Sequence, residues 1–182
     1  MTTNDVLDLP TTSLRDAAAA ARVCVVTVGG ELFALPVQSV REVVLFEDLT
    51  PVPLAPPYVV GVANLRGEVV AIVDARSTLG LPAGRPGRRH RAIVVAAAGL
   101  EAALVIDGVV SLEALGAILP ADPAAGLRHA EWAAGYLRRD NRLVPLLDVG
   151  KLLNALRSVG SSVASVGGGH GSRPGTKDPR AF

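Results

Sequence analysis

The sequence predicts an all-β protein built from two similar barrel-like subdomains, and three observations carry that expectation. Short β-branched runs recur at roughly 8–12-residue spacing with turn residues between them. Two stretches of the chain repeat one another. Two of the runs, "VVAIV" and "AIVVAAA", are apolar at every position, whereas a strand with one wet face alternates. Such strands need cover on both faces, from the other subdomain or from a partner protein.

Composition narrows the function classes. The chain has 182 residues, 49% of them hydrophobic, enough for one ordinary core or two small ones in contact. Its formal net charge is +1, which gives no electrostatic case for wrapping nucleic acid. A single cysteine, Cys24, excludes a disulfide framework and fits a reducing compartment. The first residues carry Asp5 and Asp8 in place of a basic stretch, so no secretory signal is read. The apolar runs are far shorter than the ~20 residues of a membrane helix, so no membrane insertion is expected and a cytoplasmic location is.

Three regions follow. Residues 1–21 form an N-terminal segment in which Ser13 would cap a short helix, with Asp16 three residues on. Residues 22–157 form the domain. Residues 158–182, rich in Gly and Ser, are expected to be disordered.

Within the domain, "VCVVTV" is a strand turned by Gly29-Gly30 into "LFALPV", and "VREVV" (40–44) follows. The prolines of "TPVPLAPP" exclude a helix or a central strand. "YVVGVANLRGEVVAIVD" (58–74) reads as a hairpin. Asn64 and Gly67 suit positions i and i+3 of a type I turn, with Gly67 left-handed after it. Arg66, at i+2, is not required by the turn. "RSTLGLP" fits one helical turn, and 83–91 is an arginine-rich loop. Residues 92–110 form a second hairpin-like unit, and Ser111 would cap a short helix, "LEALGAIL", ended by Pro120. A third hairpin spans 136–149, and the leucines of "GKLLNALR" (150–157) have helical spacing.

Gly61 and Asp74 bracket one hairpin as Gly135 and Asp148 bracket the other, with the same separation. Leu35, Val37 and Val40 stand 69 positions before Leu104, Ile106 and Val109. These matches read as a duplication of a β unit that is marginal alone. Asn141 stands where the first copy has Gly67, so the turn is kept. Asp140 stands where the first copy has Arg66, so the charge is not. Arg66 therefore belongs to one face of the molecule only.

No catalytic, cofactor or metal site is read. His90, His129 and His170 have no ligand spacing, Cys24 sits in an apolar run, and no Gly-rich phosphate loop opens a helix. Ser13, Ser39 and Ser111 lack a nucleophile elbow. The pair Asp74/Asp148 raises a β-barrel hydrolase as the alternative, by analogy with a carboxylate dyad. No hydroxyl residue follows either aspartate, and capping of the next helix accounts for both. "RRHR" (88–91) offers a nucleic-acid-binding alternative, but aromatics total 3%, too few for stacking platforms. Trp132 and Tyr136 are expected to anchor the second subdomain.

"ALPVQSVREVV", "TPVPLAPPYVVGVANLRGEVVAIVDARSTLG", "LVIDGVVSLEAL" and "GYLRRDNRLVPLLDVGKLL" together resemble the CheW-like domain of bacterial chemotaxis coupling proteins, over about residues 22–156. The resemblance implies two five-stranded, SH3-like barrels with few short helices, and a non-catalytic adaptor without a cofactor. It implies two partners, the regulatory domain of a CheA-type histidine kinase and the cytoplasmic tip of chemoreceptors, and recruitment to membrane-associated receptor arrays. Some relatives bind receptors without engaging a kinase, a variant reading for this chain. The family's receptor-facing positions fall on Val40, Glu42 and Arg66, with Val37 on the groove wall. Residues 120–132, "PADPAAGLRHAEW", depart from the pattern.

Overall fold

The computed structural model describes residues 21–82, 84, 90–122 and 126–166. Most of the expected helix at 13–22, most of the arginine loop and residues 167–182 lie outside the described residues; Arg22 opens a strand instead of ending a helix.

Among the described residues eleven strands form two sheets. β1 (Arg22–Val28), β2 (Glu31–Pro36), β3 (Val40–Phe46), β4 (Val59–Leu65) and β5 (Glu68–Val73) come from the first copy. β6 (His90–Ala97), β7 (Leu100–Val105), β8 (Gly108–Ala114), β9 (Ile118–Leu119), β10 (Ala133–Arg139) and β11 (Arg142–Leu147) come from the second, followed by helix α1 (Val149–Val166). One sheet, barrel I, has the order β8-β1-β2-β11-β10-β9; the other, barrel II, has β3-β6-β7-β5-β4. These are the two curled, SH3-like barrels.

The duplication is more complete than the sequence suggested, and its halves are interleaved. A step of 69 positions carries β1–β3 onto β6–β8, and a step of 74 carries the β4–β5 hairpin onto β10–β11. Each sheet nevertheless takes strands from both copies: β1 and β2 pair with β8 and β11, and β6 and β7 pair with β3 and β5. The subdomains are therefore not consecutive halves of the chain, because each copy's first hairpin completes the other copy's sheet. Barrel I also has a sixth strand, the two-residue β9. Its counterpart in barrel II is the isolated bridge of Thr50 to Val62.

Four hairpins turn through two residues at positive φ: Gly29-Gly30, Arg66-Gly67, Ala98-Gly99 and Asp140-Asn141. This is the pattern of a type I′ turn, whose twist matches that of the strands. It corrects the expected type I turn at 64–67. Arg66 (φ 55°) and Gly67 (φ 95°) are both left-handed, and Leu65 pairs with Glu68. Asn64 keeps a structural role, its side-chain oxygen accepting the Gly67 N–H at 2.9 Å.

Gly61 and Gly135 have a different reason. A Cβ at Gly61 would lie 2.8 Å from the Thr50 carbonyl oxygen, and one at Gly135 would lie 2.8 Å from that of Leu119. Both sit at register shifts where the short neighbouring segment crosses close to the hairpin.

Of the two fully apolar runs, the one on β6 is covered on both faces, while the one on β5 begins with Val69 73% exposed, so its expected cover is only partial. On β6, Ile93 and Val95 face a central core while Ala92 and Val94 fill barrel II. On β1, Cys24, Val26 and Val28 face the same central core while Val23 and Val25 fill barrel I. The other barrel and α1 supply the cover, the helix contributing Val149, Leu152, Leu153 and Leu156.

Two helix assignments change. "LEALGAIL" is not a helix: residues 108–114 are β8, and Ser111 pairs with Val25 in mid-strand. Burial against β1 outweighs the helical propensity of Leu, Glu and Ala. Helix α1 also runs to Val166, past the expected end at Arg157.

Candidate protein-binding face

The family resemblance implies a site of Val37, Val40, Glu42 and Arg66, and the fold brings the last two into contact. Val37 lies in a short 3-10 turn, Val37–Ser39, that links β2 to β3. Val37 and Val40 are half-buried, packed on the edge of the central core. A bulge between Val40 and Glu42 breaks the alternation, so Val40 faces the central core while Glu42 pairs with Val94 on the barrel II side. Arg66 is at the tip of the β4–β5 hairpin, and its Nη2 donates to Glu42 Oε2 at 2.9 Å.

This pair closes a barrel. β3 and β4 are opposite edges of the barrel II sheet, so an ion pair between Glu42 and the hairpin tip joins the two edges. The Arg66 side chain is 79% exposed and that of Glu42 26%. An exposed pair of this kind contributes about 0–1 kcal/mol. Guanidinium carries five N–H donors, and most of Arg66's point to solvent.

Two large apolar side chains stand exposed, one of them in the same hairpin. Val69, opposite Asn64 in the hairpin ladder, is 73% exposed, and Leu54, at φ 60° in the proline-rich connection, is 98% exposed. Neither was singled out in the sequence, since one valine in a valine-rich strand and one leucine between prolines carry no distinguishing signal.

Asp74 and Asp148 are structural. Their backbone N–H groups donate to Tyr58 and Trp132, each at 2.8 Å, repeating the duplication. Asp148 Oδ1 accepts the Lys151 N–H at 2.9 Å and caps α1. Asp74 Oδ1 accepts the Arg76 N–H at 3.0 Å, and the Arg76 guanidinium grips both carboxylate oxygens, at 2.6–3.0 Å. Burial pushes the Asp74 pKa up, but the hydrogen bonds and charge of Arg76 outweigh it and hold the carboxyl below its usual value. A carboxylate kept ionised in this way is unsuited to sharing a proton in a dyad.

Residues 126–132 add contacts that no spacing announced. The buried His129 ring lies 2.8 Å from the Leu79 carbonyl oxygen and 2.9 Å from Glu31 Oε2, and it meets Phe33 edge to face. Arg128 pairs with Glu31 Oε1 at 2.7 Å. Tyr136 is buried and donates to the Arg128 carbonyl at 2.6 Å, and Trp132 packs on the central core, as anchors of this region should. Among the described residues no group of His, Cys, Asp and Glu is arranged to hold a metal ion.

The family model for the CheW-like domain matches residues 22–157, the whole of both barrels and the buried part of α1. The chain belongs to the CheW-like family. Among CheW-like relatives, it is 34% identical over 124 residues to the chemotaxis protein CheW of Rhizobium meliloti, covering 67% of this chain and 80% of that one. It is 32% identical over 134 residues to the protein FrzA of Myxococcus xanthus, covering 71% and 83%. The CheW-like fold itself is matched by the crystal structure of the scaffolding protein TtCheW from Thermoanaerobacter tengcongensis. The TM-score is 0.64 at 24% identity, over 72% of this chain and 91% of that one.

Proposed function

We infer that this protein is a non-catalytic adaptor of chemotaxis-like signalling, coupling the cytoplasmic tips of chemoreceptors to the regulatory domain of a CheA-type histidine kinase. Membership of the CheW-like family over residues 22–157 is the observation that carries the reading. The receptor-facing surface is assigned to Val37, Val40, Glu42 and Arg66. Arginine is enriched at protein interfaces and among the residues that carry their binding energy. The adaptor works in the cytoplasm, at membrane-associated receptor arrays. Among the described residues no helix is long and apolar enough to cross a membrane.

The test is a titration of the full chain against a receptor-tip fragment and a kinase regulatory domain from the same cell. Arg66→Ala should weaken receptor binding by about 1–3 kcal/mol, roughly a five- to 150-fold change in affinity. Kinase binding should change much less. Asp140→Ala, at the equivalent turn of barrel I, should leave receptor binding nearly unchanged. Equal losses for both partners, or a larger loss at Asp140, would displace the receptor surface from this face. Failure of the wild type to bind either fragment would overturn the adaptor reading itself.

A further inference from the structure

His129 lies in the stretch of chain that departs from the family pattern, in residues 126–132 leading into β10. Its ring reaches two other segments. One is Glu31, the first residue of β2 in barrel I, 98 positions away. The other is Leu79, in the turn that follows β5 of barrel II, 50 positions away. A single side chain thus joins three pieces of the chain and both barrels.

Both ring nitrogens face acceptors. Nδ1 lies 2.8 Å from the Leu79 carbonyl oxygen, which can only accept. Nε2 lies 2.9 Å from Glu31 Oε2. The other Glu31 oxygen is ion-paired with Arg128 at 2.7 Å, and an ionised carboxylate can only accept. Burial raises the Glu31 pKa, but His129 and Arg128 outweigh it and hold the carboxyl below its ordinary 4.5. Each contact therefore needs an N–H on the ring. Neutral imidazole has one and imidazolium has two. The geometry is that of the doubly protonated ring.

The surroundings make that state matter. The His129 side chain is 6% exposed and meets Phe33 edge to face. Burial works against a cation, and the Glu31 carboxylate offsets it. The His129 backbone is left-handed, φ 61°, a conformation that persists in a residue with a Cβ only where its contacts hold it. Its carbonyl accepts the Trp132 N–H at 2.9 Å, so the ring's anchorage is passed along the segment. Among the described residues, the other charged or titratable groups around the ring are Arg128 on its own segment, Glu131 and Arg142 along the adjoining clefts, and Tyr136, whose hydroxyl is turned to the Arg128 carbonyl.

We propose that His129 is a proton-operated latch between the barrels: with both nitrogens protonated it ties residues 126–132 to β2 and to the Leu79 turn, and loss of one proton releases one tie and loosens the segment. An acceptor left buried without its donor costs free energy. The latch contributes stability while the ring holds two protons and Glu31 holds none. That contribution is lost as pH rises through the ring's titration, and lost again as pH falls through that of Glu31. Histidine is the side chain whose charge changes near neutral pH. The latch goes beyond the adaptor reading and does not depend on it.

The test titrates the full chain from about pH 5 to about pH 9. Ring protonation is followed by NMR of labelled histidine, the His129 signals being assigned by their loss in His129→Gln. The segment is followed by the fluorescence of Trp132, the chain's one tryptophan. Burial raises the Tyr136 pKa above its ordinary 10, so that phenol keeps its proton over this range. At the acid end both ring nitrogens should be protonated, and the fluorescence should change in a step whose midpoint is the ring's own. Across that step the protection of the Trp132 amide, corrected for intrinsic exchange, should fall about tenfold, as for one lost hydrogen bond. His129→Gln should abolish the step. Glu31→Gln removes the charge that favours the imidazolium, so it should move the ring titration and the step together to lower pH, by about one unit or more. If His129→Gln does not fold, the wild type and Glu31→Gln decide. A ring that keeps one protonation state throughout, a step that stays in place when the ring's midpoint moves, or unchanged protection across the titration would each overturn the proposal.

Discussion

Arg66 and Glu42 are 24 residues apart and sit at opposite edges of one sheet, yet their side chains meet at 2.9 Å. The barrel's closure makes the pair, and the pair in turn fixes the arginine's direction at the hairpin tip. Barrel I has a looser counterpart, Arg139 with Glu113 at 3.4 Å, which joins β10 to β8. The two ion pairs are displaced by one position on the hairpin and by two on the partner strand, so they arose on different residues of the duplicated frame.

The first prediction concerns the Arg66 turn. Arg66→Ala removes an exposed ion pair but keeps a Cβ at a left-handed φ, so urea denaturation should show a loss of no more than about 1 kcal/mol. Arg66→Gly relieves the left-handed strain and should be at least as stable as Arg66→Ala. A loss above about 2 kcal/mol in both would make the ion pair a main support of the barrel, against the ordinary value for exposed pairs.

Gly61→Ala and Gly135→Ala should each destabilise by about 1–3 kcal/mol, as overpacking against backbone does. The added methyl at either site meets a carbonyl oxygen at 2.8 Å, and at Gly135 it also runs into Ile118 Cγ2. Hydrogen exchange should quicken at the Thr50–Val62 bridge in the first variant and at the β9–β10 ladder in the second. Unchanged melting midpoints in both would contradict the close approach.

Asp74→Asn should cost more than Asp148→Asn. Asn is as good an N-cap as Asp, so the second change should cost only a few tenths of a kcal/mol. The first strips the charge from a largely buried, doubly bonded partner of Arg76 and should cost more than about 1 kcal/mol. Receptor and kinase binding should survive in both. A peptidase activity of the wild type that is lost in the double variant would instead support the hydrolase alternative.

Acid should unfold the protein partly through Asp74 and Glu31. Burial raises both pKa values, but Arg76 for the first, and His129 with Arg128 for the second, bring them below their ordinary 3.8 and 4.5. A carboxyl depressed in the folded state binds its proton more readily when unfolded. Its contribution is therefore complete above the ordinary value and is lost as pH falls below it toward the folded value. Urea midpoints measured from pH 6 down to pH 3 should fall over the lower part of that range, and Asp74→Asn should flatten the fall. An identical slope in the variant would remove Asp74 as a contributor.

Local signals in the sequence proved dependable where the physics is local. Gly29-Gly30, Gly67 and Asn141 marked real left-handed turns, and Asp148 marked the start of α1. The turn at 64–67 was placed correctly but assigned to the wrong class, because Arg66 does not announce a positive φ. "LEALGAIL" was misread because its leucine spacing and helix-forming residues favour a helix in isolation, while β1 offered a strand partner from far along the chain. Of the candidate site, the residue types were legible through the family resemblance, but the pairing of Arg66 with Glu42 was not.

By itself the sequence determined the all-β class, the duplication, the need for cover on both faces of β6, and the family. These follow from periodicity, turn chemistry and apolar runs, which act between neighbours in the chain. Only the tertiary structure decided that the two copies exchange their first hairpins, that His129 reaches Glu31 and Leu79, and that Glu113 meets Arg139 in barrel I at the positions where barrel II has Val44 and Leu65. Each of these depends on groups that lie far apart in the chain. Which distant groups meet is set by the burial of the whole apolar surface at once, and no local pattern encodes it.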